Sequence, residues 1–91
     1  MEPTTYLYNF HDRVPMGDVD DSLGLAEIAV RGLHGPNRTR LETSYRLDPD
    51  GRFCCIEAAS EVGRDFATIF AALLTEQFGQ DGFTIACARG R

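Results

Sequence analysis

The chain has 91 residues, of which 43% are hydrophobic and 25% charged, and 9 cationic against 14 anionic side chains give a net charge of −5. This length accommodates one domain, residues 1–91, with a single hydrophobic core, and the composition is typical of a globular protein. The negative charge repels phosphate backbones, so we do not expect a nucleic-acid partner. All nine cations are arginine, which indicates a GC-rich bacterial genome or a salty habitat.

Localisation signals and cysteines point to the inside of the cell. No apolar run is long enough to cross a bilayer, and residues 1–10 lack the basic start and long apolar stretch of a signal peptide. We therefore expect a cytoplasmic protein that has no membrane contact. Cys54, Cys55 and Cys87 are odd in number and lack CxxC spacing, which argues against a disulfide scaffold or a zinc site. We predict that they are reduced, buried, small apolar residues.

The first half of the chain predicts a strand, a loop and a helix. Thr4 to Phe10 is rich in β-branched and aromatic residues, which favour a strand, and a polar loop containing Pro15 and Gly17 follows. The acidic residues at 18–21 supply caps and first-turn charges for a helix that ends before Gly35. We expect His34 at the surface near this end. The residues predicted to form the buried face of this helix are Val19, Leu23, Ala26, Val30 and Leu33.

The second half predicts a hairpin, a helix and a last strand. Thr39–Asp48 alternates with a period of two, which favours a strand, and a turn at residues 48–51 leads into a returning strand, Arg52–Ala59. Ser60 is the predicted cap of a second helix, which ends at Gly79. Its apolar stripe covers about half of the circumference, more than the ~100° that faces one sheet, so we expect part of it to remain available to a partner. Phe83–Arg89 supplies the last strand.

The resulting βαββαβ order predicts an α+β fold that resembles the split-βαβ, ferredoxin-like arrangement. Right-handed crossovers would place the third strand between the first and second, in a four-stranded antiparallel sheet with both helices on one face. Two orientations stay open. In the first strand, the aromatic residues Tyr6, Tyr8 and Phe10 either face the helices or point away from them. In the third strand, the residues that point away from the helices are either Phe53 and Cys55 or Cys54, Ile56 and Ala58.

This arrangement leaves one sheet face uncovered, and an uncovered apolar face typically marks an association surface. We therefore predict a non-enzymatic protein-interaction or accessory domain, which contacts a protein partner or a second copy in a homodimer through this face and the edge of the second helix. No catalytic residue, cofactor or metal is predicted, since the chain lacks a nucleophile elbow and a phosphate-binding glycine loop. The predicted interface residues are Phe53, Cys55, Phe70, Leu74 and Phe78.

The alternative is a small-ligand domain, either regulatory or a small dimeric α+β barrel enzyme, with its site between the His11–Gly17 loop and the first helix. The segment DRVPMGDVDDSLGLAEIA, residues 12–29, resembles the loop and helix start of ACT-type regulatory domains, which implies an amino-acid effector at this place. Pro15 and Gly17 also explain this segment as a long turn. The predicted ligand-binding residues are His11, Asp12, Arg13, Tyr45 and Arg46.

Two further segments resemble the paired ribonucleoprotein motifs of RNA-recognition domains. They are LYNF, residues 7–10, and GRFCCIEA, residues 51–58. The resemblance implies that bases stack on Phe53 and on Tyr6 or Tyr8. The second stacking position of the third strand is Cys55, however, and the chain is acidic, so we favour a protein partner over RNA.

Overall fold

The computed structural model describes residues 4–89. The elements are β1 (Thr4–Phe10), α1 (Met16–His34), α2 (Pro36–Glu42), β2 (Ser44–Asp48), β3 (Phe53–Glu57), α3 (Glu61–Phe78), a 3₁₀ turn (Gln80–Gly82) and β4 (Phe83–Arg89). The strands form one antiparallel sheet in the order β2-β3-β1-β4. The fold is therefore α+β, with β3 between β1 and β2 as expected and with three helices instead of the two predicted.

The additional helix, α2, corrects the prediction of one long strand over Thr39–Asp48, because only Ser44–Asp48 is extended. Pro36 occupies the first turn of α2, where its missing N–H costs nothing. Arg38 then donates to Glu42 one turn later, with Nε 2.9 Å from Oε2. Gly35 lies between α1 and α2 and interrupts the helical conformation, because its φ of 87° is one that favours glycine. The period of two therefore came from a short helix followed by a short strand.

The core lies between the sheet and the helices. Tyr8 and Phe10 of β1 and Cys54 and Ile56 of β3 are buried there, so the first-strand aromatics face the helices. The Tyr8 hydroxyl donates to the Ala67 carbonyl of α3 at 3.2 Å. Burial raises the pKa of Tyr8 well above its usual value, which keeps this donor protonated. The helices contribute Val19, Leu23, Ala26 and Val30 from α1 and Val62, Phe66, Ala67, Phe70 and Leu74 from α3.

The two long helices begin differently. Ser60 caps α3 as predicted, since its hydroxyl accepts from the Gly63 N–H at 3.1 Å. The first residues of α3 also lie close to the end of β3, because a Cβ at Gly63 would be 2.6 Å from the Glu57 carbonyl oxygen. By contrast, α1 begins two residues before the predicted acidic caps. It follows Pro15 and has no side-chain cap.

Polar contacts at both ends join α1 to α3 in antiparallel orientation. At one end Gln77 donates to the Ser22 hydroxyl at 2.6 Å. At the other, His34 Nε2 lies 2.7 Å from Asp65 Oδ2, and only 12% of the His34 side chain is exposed. The expectation that His34 lies at the surface is therefore corrected. Because the last turn of α1 directs His34 toward α3, its neighbour Leu33 is 66% exposed instead of buried.

Candidate contact surfaces

The sheet has one face that does not take part in the core. Side chains alternate along each strand, so the residues between the buried ones point away from the helices. Within residues 4–89, no helix packs on this side. We call it the outer sheet face, and its residues are Thr5, Leu7, Asn9, Ser44, Arg46, Asp48, Phe53, Cys55, Glu57, Thr84 and Ala86.

The outer sheet face has an apolar centre and a polar margin. Leu7, Phe53 and Cys55 are half-buried by their neighbours. The Arg46 guanidinium lies 5.4 Å from the centroid of the Phe53 ring, in reach of a cation–π contact. Such a distribution is typical of the anatomy of protein interfaces. The strand register aligns two cross-sheet rows, Arg46, Cys55, Leu7 and Ala86 in one, and Asp48, Phe53, Asn9 and Thr84 in the other.

The predicted interface residues divide between this face and the core. Phe53 and Cys55 lie on the outer sheet face, and Cys54 lies in the core. Phe70 and Leu74 have no exposed surface, so the predicted edge of the second helix is corrected at these two positions. Phe70 packs edge-to-face against Tyr8, with ring centroids 5.0 Å apart. Phe78 is partly buried against the core.

A second apolar surface lies on α1, where the sequence analysis did not place one. Leu25 and Ile28 are 54% and 60% exposed, and they are surrounded by the exposed small residues Gly24, Ala29 and Gly32. We call these five residues the outer face of α1. At 100° per residue they lie opposite the buried stripe. The signal is present in the sequence, because α1 carries apolar residues on two sides of its helical wheel.

The loop predicted to bind a small ligand is held by an arginine from the β2–β3 turn. The Arg52 guanidinium donates to the backbone carbonyls of His11 and Val14, the second at 2.6 Å. His11, Asp12 and Arg13 are all exposed. The hydrogen bonds from Arg52 therefore fix the backbone of this loop, whereas the side chains of His11, Asp12 and Arg13 remain exposed to solvent.

The other two predicted ligand-binding residues lie elsewhere. Tyr45 faces the helices, where its ring centroid is 5.5 Å from that of Phe66, whereas Arg46 faces outward. The register places Tyr45 level with Tyr6. Because His11 follows the end of β1, five residues after Tyr6, the separation along the strand direction is ~16 Å. The five residues do not converge on one site.

Depressions on the surface are shallow. Three of them have volumes of about 140, 230 and 230 Å³, below the roughly 300–1,000 Å³ of typical ligand pockets. The first lies between α3 and the β1–β4 pair, against Tyr6, Thr68 and Ile85. Among the described residues, no group of three or more His, Cys, Asp and Glu side chains is placed to hold a metal ion.

The three cysteines are free but have different environments. Cys54 is buried in the core, and burial, followed by the neighbouring Cys55, raises the pKa of its thiol to about 12. Cys55 is half-buried on the outer sheet face, and Cys87 is exposed on β4. The prediction of three buried thiols is therefore correct for Cys54 and corrected for Cys87.

For the chain as described over residues 4–89, comparison with other proteins adds no functional assignment. None of the helices over this range is long and apolar enough to span a membrane. No protein-family model, curated protein or solved structure significantly matches the chain. The function therefore has to be inferred from the two apolar surfaces.

Proposed function

We propose that this chain is a non-enzymatic protein-interaction domain that binds a protein partner through the outer sheet face. The observation that supports the proposal is a four-stranded face with an apolar centre, formed by Leu7, Phe53 and Cys55, on which no helix of residues 4–89 packs. Burying that centre removes apolar surface from water, and the polar margin can pair with polar groups of the partner.

The ferredoxin-like arrangement is part of this proposal. The strand order β2-β3-β1-β4 and the packing of α1 and α3 against one sheet face support it. We regard α2 as an insertion between the first helix and the second strand of that arrangement. In such a fold the uncovered face is available for binding because both long helices are on the other side.

A flat partner fits the surface better than a small molecule. The outer sheet face spans all four strands, whereas the three depressions described above are small and open. Exposed thiols persist in reducing compartments, so the free Cys87 supports a partner in the cytoplasm. The margin carries both signs of charge, with Arg46 beside Asp48 and Glu57, which favours a partner of mixed charge over a polyanion.

Site-specific crosslinking in the cells that produce the protein tests the proposal. A photoreactive amino acid replaces Ala86, exposed on the outer sheet face, or Ala72, exposed on α3. We expect a discrete crosslinked partner from position 86 but not from position 72. Leu7→Glu should abolish that product, because it places a charge in the apolar centre, whereas the matched variant Ala72→Glu should not.

The controls for this experiment are folding and background. Far-UV circular dichroism and urea unfolding should show that Leu7→Glu remains folded. If it does not, Phe53→Ser provides a second variant of the same centre. Equal crosslinking from positions 86 and 72, or a product that persists in the folded Leu7→Glu and Phe53→Ser variants, would show that the outer sheet face does not bind the partner.

A further inference from the structure

The outer face of α1 is more apolar than the solvent side of a surface helix normally is. Leu25 and Ile28 expose more than half of their side-chain surface. Glu27 and Arg31 are the charged residues of the middle and late turns, and they pair with each other at 4.0 Å on one flank of the helix. The opposite flank and the crest are left to Gly24, Leu25, Ile28, Ala29 and Gly32.

Two glycines in this helix have no function within the monomer that the structure shows. Gly24 and Gly32 lie one turn before and one turn after Ile28, and a Cβ at either position would meet no atom within 4 Å. Glycine weakens the interior of a helix compared with alanine. Because these two residues have no side chain, the helix surface has a shallow depression on each side of Ile28, into which a side chain of another helix can insert.

The charges of α1 indicate what that other helix is. Its first turns carry Asp20 and Asp21, and Arg31 lies near its end, all three exposed. Consider an antiparallel pair of identical α1 helices related by a two-fold axis that passes between them at the height of residue 26. This axis places Ile28 of one copy against Gly24 of the other. The same axis places Arg31 against Asp21 of the second copy. The same register therefore matches the Ile28 side chain with a glycine and each arginine with an aspartate. By symmetry each of these contacts is made twice.

We propose that α1 binds α1 of a second copy of this chain in antiparallel orientation, in a homodimer whose interface is separate from the outer sheet face. The opposed helix dipoles favour this orientation, since the acidic start of each helix lies near the end of the other. A helix of 19 residues is ~28 Å long. We expect a contact along one helix of this length to bury less than the ~800 Å² per partner of standard interfaces. The dimer is therefore weak, with a dissociation constant of roughly 100 µM.

Sedimentation equilibrium over about 10 to 500 µM tests the proposal. We expect the wild-type chain to shift from monomer to dimer over this range and Ile28→Glu to remain monomeric, because each new carboxylate would be buried without a partner against Gly24 of the second copy. Ala72→Glu, the matched change on the exposed side of α3, should dimerise like the wild type. Gly24→Leu should also prevent dimerisation, since it fills the position that accepts Ile28.

A charge exchange tests the register itself. Asp21→Arg and Arg31→Asp, each alone, should weaken dimerisation about tenfold because like charges then meet across the axis. The double variant should restore the dimer, since each arginine again faces an aspartate. A merely local effect of either charge on α1 would not be rescued in this way.

Two results would overturn the proposal. One is a wild-type chain that stays monomeric at the highest concentration. The other is a dimer that persists in Ile28→Glu and Gly24→Leu but is lost in Leu7→Glu, which would place self-association on the outer sheet face. Neither result depends on crosslinking from position 86, so the two proposals can fail independently.

Discussion

Two helices of almost the same length, α1 with 19 residues and α3 with 18, lie antiparallel on the same sheet face but use their apolar residues differently. In α3, Phe66, Phe70 and Leu74 are completely buried, whereas α1 exposes Leu25 and Ile28. The reason is the number of neighbours. The wide stripe of α3 is contacted by β1, by β2 and by α1, but α1 has described neighbours on only part of its circumference. A wide stripe therefore does not by itself indicate a surface for a partner.

The largest expected effect separates a buried side chain of α3 from an exposed one of α1. Phe70→Ala should lower the free energy of unfolding by about 3–5 kcal/mol, because it leaves a cavity beneath Tyr8. Ile28→Ala should change it by no more than about 0.5 kcal/mol. Urea unfolding at a concentration that keeps the chain monomeric measures both. Similar losses for the two variants would show that α1 and α3 do not differ in burial.

Glycine substitutions should act in opposite directions in the two helices. Gly63→Ala should destabilise the fold by about 1–3 kcal/mol, because the new methyl group would be forced against the Glu57 carbonyl oxygen. Gly24→Ala should stabilise the monomer by up to about 1 kcal/mol, since its surroundings are open. Thermal unfolding of both variants checks the signs. A Gly63→Ala chain as stable as the wild type would contradict the close packing of α3 on β3.

The capped start of α3 gives a smaller effect. Ser60→Ala should cost about 1 kcal/mol, because the Gly63 N–H loses its acceptor. Thr75→Ala, at the exposed end of the same helix, is the control and should change the free energy of unfolding by less than half as much. Of the two long helices only α3 has a side-chain cap, since α1 has none. The Ser60→Ala variant therefore measures what such a cap contributes to stability.

The position of β3 between β1 and β2 was predictable from crossover handedness, and the approximate positions of the two long helices were predictable from local patterns. β1 and β4 have the predicted bounds, and α3 begins and ends at the predicted cap and glycine. The α2 helix was not predicted because its alternating residues match a strand as well as a helix. Only the pairing of Arg38 with Glu42 and the break at Gly35 distinguish the two. A period of two that closely follows a glycine–proline pair is therefore ambiguous between a strand and a helix.

The contact surfaces were predictable in part. Alternation in β3 restricted the outward residues to two sets, and the structure selects the set that contains Phe53 and Cys55. Phe70 was placed at the surface because a helical wheel shows how wide a stripe is but not how many elements pack on it. The contact of His34 with Asp65 joins residues 31 positions apart, and no local pattern predicts it.

The smallest expected effect concerns α2, which carries a solvent-accessible ion pair, whereas α3 packs through buried side chains. The hydrogen bond from Arg38, and then its charge, hold the pKa of Glu42 below its usual value. A lowered pKa means that the Glu42 carboxylate stabilises the fold at a pH above its pKa in the unfolded chain. This contribution is lost as the pH falls through the pKa in the folded chain.

Between about pH 5 and pH 3, the wild-type chain should therefore lose slightly more stability than Glu42→Gln. Glu76→Gln, on the exposed side of α3, is the control, and urea unfolding at intervals of pH makes the measurement. Because both side chains of the pair are open to solvent, Arg38 at 50% and Glu42 at 31% exposure, a large difference between wild type and Glu42→Gln would mean that Glu42 has a further, buried partner.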